Sequence, residues 1–144
     1  MTLSTVSQMF NQVTKEHLNR DLYFYKEMGN WKGISGSEIR STVKDLAFGI
    51  QSLGINKGNN VALLSNNSPR WAMSDYGIIC SGAATVSVYP TLIPSQVEFI
   101  INDSNSKLVF VQNQEQMAKI NKIWNVIIAH YLFYDFFFYT DKFI

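Results

Sequence analysis

The chain has 144 residues and a formal net charge of +1, and 47% of its residues are hydrophobic. This length is sufficient for one domain with a buried core. A net charge so close to zero argues against the strongly basic surface that binds nucleic acid, and at most weak contact with a membrane is expected. The start of the chain has no secretory signal pattern. A cytoplasmic protein is therefore predicted, with peripheral association to a membrane as the alternative.

The start of the chain predicts a helix and a hairpin. Residues 5–18 carry apolar side chains at helical spacing, with Ser4 placed as the N-cap. Residues 22–25 and 31–34 are β-prone runs, and the turn Met28-Gly29-Asn30 between them is typical of a β-hairpin. The apolar stripe of the helix consists of Val6, Met9, Phe10 and Val13.

The next segment predicts the most clearly bounded helix of the chain. Ser35 and Glu38 have the spacing of a capping box, in which the Ser35 hydroxyl accepts from the backbone three residues on. The helix extends to Leu53, and Gly54 is suited to the left-handed conformation that ends a helix. The aligned apolar positions are Ile39, Val43, Leu46, Ala47, Ile50 and Leu53.

The chain then alternates strands and helices up to residue 123. Residues 61–64 form an apolar run without polar alternation, which is typical of a strand buried on both faces of a parallel sheet. The alternation predicts an α/β fold with a mostly parallel sheet flanked by helices. The other predicted strands are 85–88 and 108–111, and the helices are 69–80, 94–102 and 115–123, the first capped by Ser68 and stopped by Gly82.

No catalytic, cofactor-binding or metal-ligating residue is predicted. The sequence has no glycine-rich phosphate loop, and its early glycines fit hairpin turns. His17 and His130 each lack a second metal ligand at helical spacing. Asp75 is interpreted as a solvated carboxylate. Cys80, the single cysteine, lies in an apolar run and is predicted to be a buried, inert thiol.

Four segments between Trp31 and Val111 together resemble the N-terminal part of the AMP-forming acyl-CoA synthetases, which belong to the adenylate-forming superfamily. Their order and spacing carry the resemblance, since no single segment is diagnostic. The element Tyr89-Pro90-Thr91 and the later Asn102-Asp103-Ser104 favour the long-chain fatty-acid–CoA ligases as the nearest group. The segments are residues 31–38, 46–71, 82–92 and 95–111.

The chain departs from the pattern of this family at two positions. Gly36 stands where the family usually has an aromatic residue, so weaker local packing is expected there. Ile93 stands where a Ser or Thr often caps the next helix, so a cap worth about 1 kcal/mol is expected to be lost.

The resemblance implies a reaction in two steps. ATP and a fatty acid form an acyl-adenylate and pyrophosphate with Mg²⁺, and the thiol of CoA then displaces AMP. The family's phosphate loop, its adenylate-binding element and its C-terminal lysine have no counterpart in this sequence. The chain is therefore interpreted as a truncated long-chain fatty-acid–CoA ligase that is inactive by itself. ATP, Mg²⁺, CoA and fatty acid are implied for the full-length family, and no site for them is carried over to this fragment.

The resemblance divides the chain into a family segment, residues 1–123, and an aromatic tail, residues 124–144. The tail contains nine aromatic residues and three charged ones. It is interpreted as translated non-coding or frame-shifted sequence. A membrane segment is the alternative, but the apolar run 126–139 is shorter than the ~20 residues of a helical span and contains His130 and Asp135.

Two other functions stay open. The first is a non-catalytic interaction or regulatory module derived from such a ligase, with the aromatic tail as its contact to a membrane or a partner. The second is an independent flavodoxin-like signalling domain. That function requires an acidic cluster at the strand ends, and the sequence offers none.

The capped helix and the strand after it need only local contacts, which form at low entropic cost. We expect the amides of residues 39–64 to exchange with deuterium more slowly than those of residues 124–144. Mass spectrometry of peptides from exchanged protein measures both. Slower exchange in residues 124–144 would show that the aromatic tail is integral to the fold.

Overall fold

The computed structural model describes residues 5–134, and for residues 133 and 134 only the backbone is considered. Up to residue 123 its helices and strands follow the predicted order with small shifts at their ends, and one further strand, which was not predicted, comes after them. The helices are α1 (Val6–Glu16), α2 (Gly36–Ser52), α3 (Pro69–Ser81), α4 (Pro94–Asp103) and α5 (Gln114–Ile123). The strands are β1 (Asp21–Glu27), β2 (Asn30–Ser35), β3 (Asn60–Leu64), β4 (Ala84–Val88), β5 (Ser106–Val111) and β6 (Tyr131–Tyr134).

A parallel sheet with the strand order β4-β3-β5-β6 forms the centre of the fold. The strand β3 pairs with β4 on one side and with β5 on the other, and Val61 lies opposite both Thr85 and Leu108. The hairpin β1-β2 is a separate antiparallel pair. The predicted α/β class with a parallel sheet flanked by helices is therefore confirmed.

The side chains of β3 alternate between two hydrophobic cores. Val61 and Leu63 pack with residues of α2 and α3, whereas Ala62 and Leu64 pack with residues of α4 and α5. All four side chains are fully buried. The absence of polar alternation in this run, which predicted a strand covered on both faces, thus has its explanation in a helix layer on each side.

A third apolar cluster joins α1 and the hairpin to the outer side of α2 and α3. Phe10 from α1 and Ile34 from β2 are buried there with Ile39, Val43 and Met73. The other members of the apolar stripe on α1 are only partly covered. Val6, Met9 and Val13 keep 40–48% of their surface exposed.

Four of the predicted helix ends are confirmed, among them Gly54, which follows α2 with a φ of 77°. The Ser35 hydroxyl accepts from the N–H of Glu38 and the Ser68 hydroxyl from that of Trp71, at 3.2 and 3.1 Å. Gly82 ends α3 with a φ of 95°, a conformation that costs other residues free energy. For α1, the structure shows Thr5 as the N-cap, and the predicted cap Ser4 lies outside the described residues.

The expected loss of a cap at Ile93 is confirmed, with partial compensation. Ile93 is the N-cap residue of α4, and its side chain makes no capping hydrogen bond. Three residues on, the Gln96 side chain reaches back and accepts from the backbone N–H of Ile93 at 3.2 Å. This bond is the second half of a capping box, so one of the two usual bonds is retained.

Gly36 does not weaken the packing as expected, because the position has no room for a side chain. A Cβ atom there would lie 2.3 Å from the carbonyl oxygen of His17. The backbone is held in this close approach by the N–H of Gly36, which donates to the carbonyl of Arg20 at 2.9 Å. The glycine therefore lets the first turn of α2 pack directly against the chain that leaves α1.

Part of the aromatic tail lies in the central sheet. Backbone pairing joins β6 to β5 in parallel register, with Tyr131 opposite Leu108, and Ala129 is buried in the core beside α4 and α5. The amino-acid pattern of this segment predicts no position for it in the fold. The division of the chain at residue 123 stays a prediction, and residues 135–144 lie outside the described part. Within residues 5–134, no helix is both long and apolar enough to cross a membrane.

Substitution of Gly36 by alanine tests the close approach of α2 to α1. We expect Gly36→Ala to lower the free energy of unfolding by about 1–3 kcal/mol, because the added methyl group overlaps the His17 carbonyl. Urea unfolding followed by circular dichroism measures the change. Ser37→Ala, at an exposed position in the same turn, is the control and should shift stability by less. An unchanged free energy of unfolding in Gly36→Ala would show that the backbone near His17 can move to make room for the methyl group.

Candidate functional site

The order of the strands creates a crevice at one edge of the sheet. From β3 the chain passes through α3 to β4 on one side, and from β4 it passes through α4 to β5 on the other side of β3. The segments that follow β3 and β5 therefore diverge above opposite faces of the sheet. Open α/β sheets bind their ligands at such a switch point, outside the carboxyl ends of the strands.

The crevice is lined by uncharged polar residues that directly follow the two strands. The backbone N–H of Asn66 donates to Oε1 of Gln112 at 2.8 Å, and the Asn66 side-chain amide donates to the same oxygen at 3.1 Å. The N–H of Gln112 donates to the carbonyl of Leu64 at 3.1 Å. These bonds tie the ends of β3 and β5 together. We refer to Asn66 and Gln112 as the amide pair.

The remaining polar groups at this edge also bond within the protein. The Ser65 hydroxyl is almost fully buried and donates to the carbonyl of Asn66 at 2.9 Å. The Asn113 side chain caps α5 and accepts from the N–H of Gln116 at 3.1 Å. These hydrogen bonds join the loops that follow β3 and β5 to each other and to the first turn of α5.

Gln116, in the first turn of α5, has a buried acceptor without a partner in the described residues. Only 2% of its surface is exposed, and its Oε1 has no hydrogen-bond partner within residues 5–134. Its amide nitrogen donates to the Glu115 carboxylate at 3.3 Å. Sequence reasoning missed Gln116 and the amide pair, because a glutamine near a strand end gives no local signal.

The amide pair by itself lacks the charged groups that hold a nucleotide with its metal ion. A triphosphate is held by cations or by several converging backbone N–H groups, and the crevice presents a neutral amide pair instead. No three acidic, histidine or cysteine side chains come together in the part of the chain that the structure describes. No chemical step is therefore assigned to this edge of the fragment.

The residues that the sequence analysis weighed and set aside lie apart from this crevice. His17 is the C-cap residue of α1, and the N–H of His130 donates to the carbonyl of Lys107 just before β6. Asp75 lies partly exposed on α3. The expectation that no catalytic or metal-ligating residue is present stays a prediction.

Cys80 is less buried than predicted. It lies near the end of α3, on the side that faces α1 and α2, and it is only partly covered. Burial raises the pKa of its thiol above the ordinary value, against smaller opposite effects from Ser7 and Arg40. A raised pKa disfavours the thiolate, so the prediction of low reactivity agrees with the structure although full burial was wrong.

The fold has solved counterparts among the N-terminal parts of known proteins. The structure is similar to the N-terminal domain of FACL13 from Mycobacterium tuberculosis, with a TM-score of 0.82 and 23% identity over 92% of this chain and 34% of that one. The family model described as AMP-binding enzyme matches residues 10–138. The chain belongs to the AMP-binding enzyme family.

Curated relatives of the chain carry the name of fatty-acid ligases. The long-chain-fatty-acid–CoA ligase ACSBG1 of Bos taurus is 31% identical over 123 residues, which are 85% of this chain and 17% of that protein. The long-chain-fatty-acid–CoA ligase FadD15 of Mycobacterium bovis is 27% identical over 105 residues, or 72% and 18% of the two chains. The chain thus spans less than a fifth of the length of either relative.

The amide pair can be tested by removal of its shared acceptor. We expect Gln112→Met to lower the free energy of unfolding by about 1 kcal/mol, because the side chain keeps its length but leaves the Asn66 donors without their oxygen. Chemical denaturation followed by circular dichroism measures the change. Gln114→Met, at an exposed position two residues on, is the matched control. Equal free energies of unfolding for the two variants would mean that water replaces the Gln112 oxygen as the acceptor for Asn66 without loss of stability.

Proposed function

We propose that the chain supplies the N-terminal scaffold of a long-chain fatty-acid–CoA ligase and does not activate fatty acids by itself. The names of the curated relatives support the first part. The second part rests on one observation: at the switch point, the donors of Asn66 are used by Gln112. In the whole protein, the proposed substrates are a fatty acid, ATP with Mg²⁺, and CoA.

The physical requirement of the reaction explains why the scaffold alone is insufficient. Formation of an acyl-adenylate places a carboxylate against the phosphates of ATP, so the site must neutralise several negative charges before the two groups can meet. An uncharged crevice with internally bonded amides provides no such stabilisation. The groups that do so must then come from other parts of the ligase.

The scaffold has a role that needs no charged groups. Four parallel strands with a helix layer on each face position the carboxyl ends of β3 and β5 at one edge. The amide pair keeps those ends at a constant separation. We propose that this edge serves as the rigid wall against which the catalytic parts of the ligase assemble, in the cytoplasm.

The decisive experiment measures ATP–pyrophosphate exchange that depends on fatty acid. The chain is purified from a host that lacks its own fatty-acid ligase, and labelled pyrophosphate is followed into ATP in the presence of Mg²⁺ and palmitate. We expect exchange at the level of a blank without protein. The full-length bovine relative serves as the positive control.

Exchange above the blank would contradict the proposal, provided that it grows with the amount of chain and with palmitate. The variant Gln112→Met then indicates where the activity lies. Loss of exchange in that variant, with Gln114→Met unaffected, would place the activity at the crevice and overturn the interpretation of the amide pair as purely structural.

A further inference from the structure

A cavity of about 220 Å³ lies between α1, α2 and α3, on the outer side of the helix layer. None of the residues that form the switch-point crevice lines it. Phe10 and Val43 form its buried apolar part, and Phe48 contributes a largely exposed ring. The charged side chains of Arg40 and Lys44 and the thiol of Cys80 also line this space. We call this space the outer cavity.

The outer cavity contains two cations and no carboxylate. Nη1 of Arg40 lies within 3.3 Å of three acceptors on α1, namely the carbonyl and side-chain oxygens of Asn11 and the hydroxyl of Thr14. All of these acceptors are uncharged, and Arg40 makes no ion pair within residues 5–134. The guanidinium is therefore held in place while its charge stays without compensation.

The second cation is placed beside the first. Arg40 and Lys44 are four residues apart on α2, so they lie one turn apart on the same helix face. Nζ of Lys44 lies 5.8 Å from the centre of the Phe48 ring, a cation–π distance, and has no carboxylate partner in the described chain. The helix thus presents two positive charges at the rim of an apolar space.

We propose that the outer cavity binds a small amphipathic carboxylate, with its head group between Arg40 and Lys44 and its apolar body against Phe10. Two like charges at one turn repel each other, and an anion between them removes this repulsion. Charge-assisted hydrogen bonds from a guanidinium to a carboxylate are the strong and directional ones. The apolar floor favours a ligand with a hydrocarbon body over an inorganic anion.

The volume of the outer cavity limits the length of the ligand's hydrocarbon body. An apolar cavity of about 150 Å³ is known to accommodate a benzene molecule. The outer cavity is moderately larger and open to solvent on one side, so a carboxylate with a short aliphatic chain fits and a long acyl chain would extend beyond it. The proposed ligand class is therefore distinct from the long-chain substrate of the relatives, and the proposal does not depend on the function proposed above.

Cys80 provides a built-in probe of occupancy. It lines the outer cavity and is the single cysteine of the chain, so its reaction with a thiol reagent reports on this site alone. We would measure the rate at which dithiodipyridine, a neutral reagent, labels the full chain at rising concentrations of octanoate. We expect labelling to slow saturably, because a bound carboxylate covers the thiol.

A comparison of four compounds shows what the charged head group and the apolar body each contribute to binding. Octan-1-ol has the body without the charge, and we expect it to need about a tenfold higher concentration for the same protection. Acetate and inorganic phosphate have a charge without the body and should give no protection at the concentrations where octanoate does. Equal protection by octanol and octanoate would overturn the role of the cations, and protection by phosphate would overturn that of the apolar floor.

Substitutions of Arg40 and Lys44 show which of the two cations binds the carboxylate. Lys44→Gln should weaken protection by octanoate several-fold, and its side chain makes no bond to α1, so the fold is not expected to change. Arg40→Gln should abolish protection by octanoate. Because Arg40 also bonds to α1, the labelling rate of this variant without ligand shows whether the contact between α1 and α2 has changed. Lys122→Gln, at an exposed position on α5, is the matched control and should behave as the unmodified chain does. Undiminished protection in Lys44→Gln, or no protection of the unmodified chain by octanoate, would refute the proposal.

Discussion

The pairing of β3 with both β4 and β5 is the interaction on which the rest of the structure depends. Every residue of β3 has a partner on each side, and Val61, Ala62, Leu63 and Leu64 are fully buried. Full burial of a Val or Leu side chain contributes roughly 1.5–3 kcal/mol. Because these side chains alternate between two cores, one five-residue strand supports both helix layers. The carboxyl end of the same strand carries Asn66, so the strand also positions the crevice.

The features that could be predicted from the sequence depend on residues close together in the chain. A cap such as Ser35 acts on an N–H three residues away, and the apolar run of β3 needs no knowledge of its neighbours. The contacts that were missed join distant residues. Asn66 and Gln112 are 46 positions apart, and their meeting requires the order of the strands, which local patterns do not contain. The same holds for Gly36, whose constraint comes from the carbonyl of His17 in another element.

The crevice and the outer cavity present different chemical groups to solvent. At the crevice between β3 and β5, two uncharged amide side chains bond to each other. The outer cavity carries the uncompensated charges of Arg40 and Lys44 and lies on the opposite side of the α2–α3 layer. The proposed anion site is therefore independent of the chemistry at the crevice.

The claim that β3 couples the two cores can be tested by unfolding with a probe in one core and a mutation in the other. In a background with Trp31→Phe and Trp124→Phe, Trp71 is the single remaining tryptophan and reports on the α2–α3 side, whereas Leu64 lies on the α4–α5 side. We predict that Leu64→Ala lowers the stability measured by Trp71 fluorescence and by circular dichroism equally, by about 2–5 kcal/mol. A fluorescence transition that stays in place while the circular dichroism transition moves would contradict the coupling.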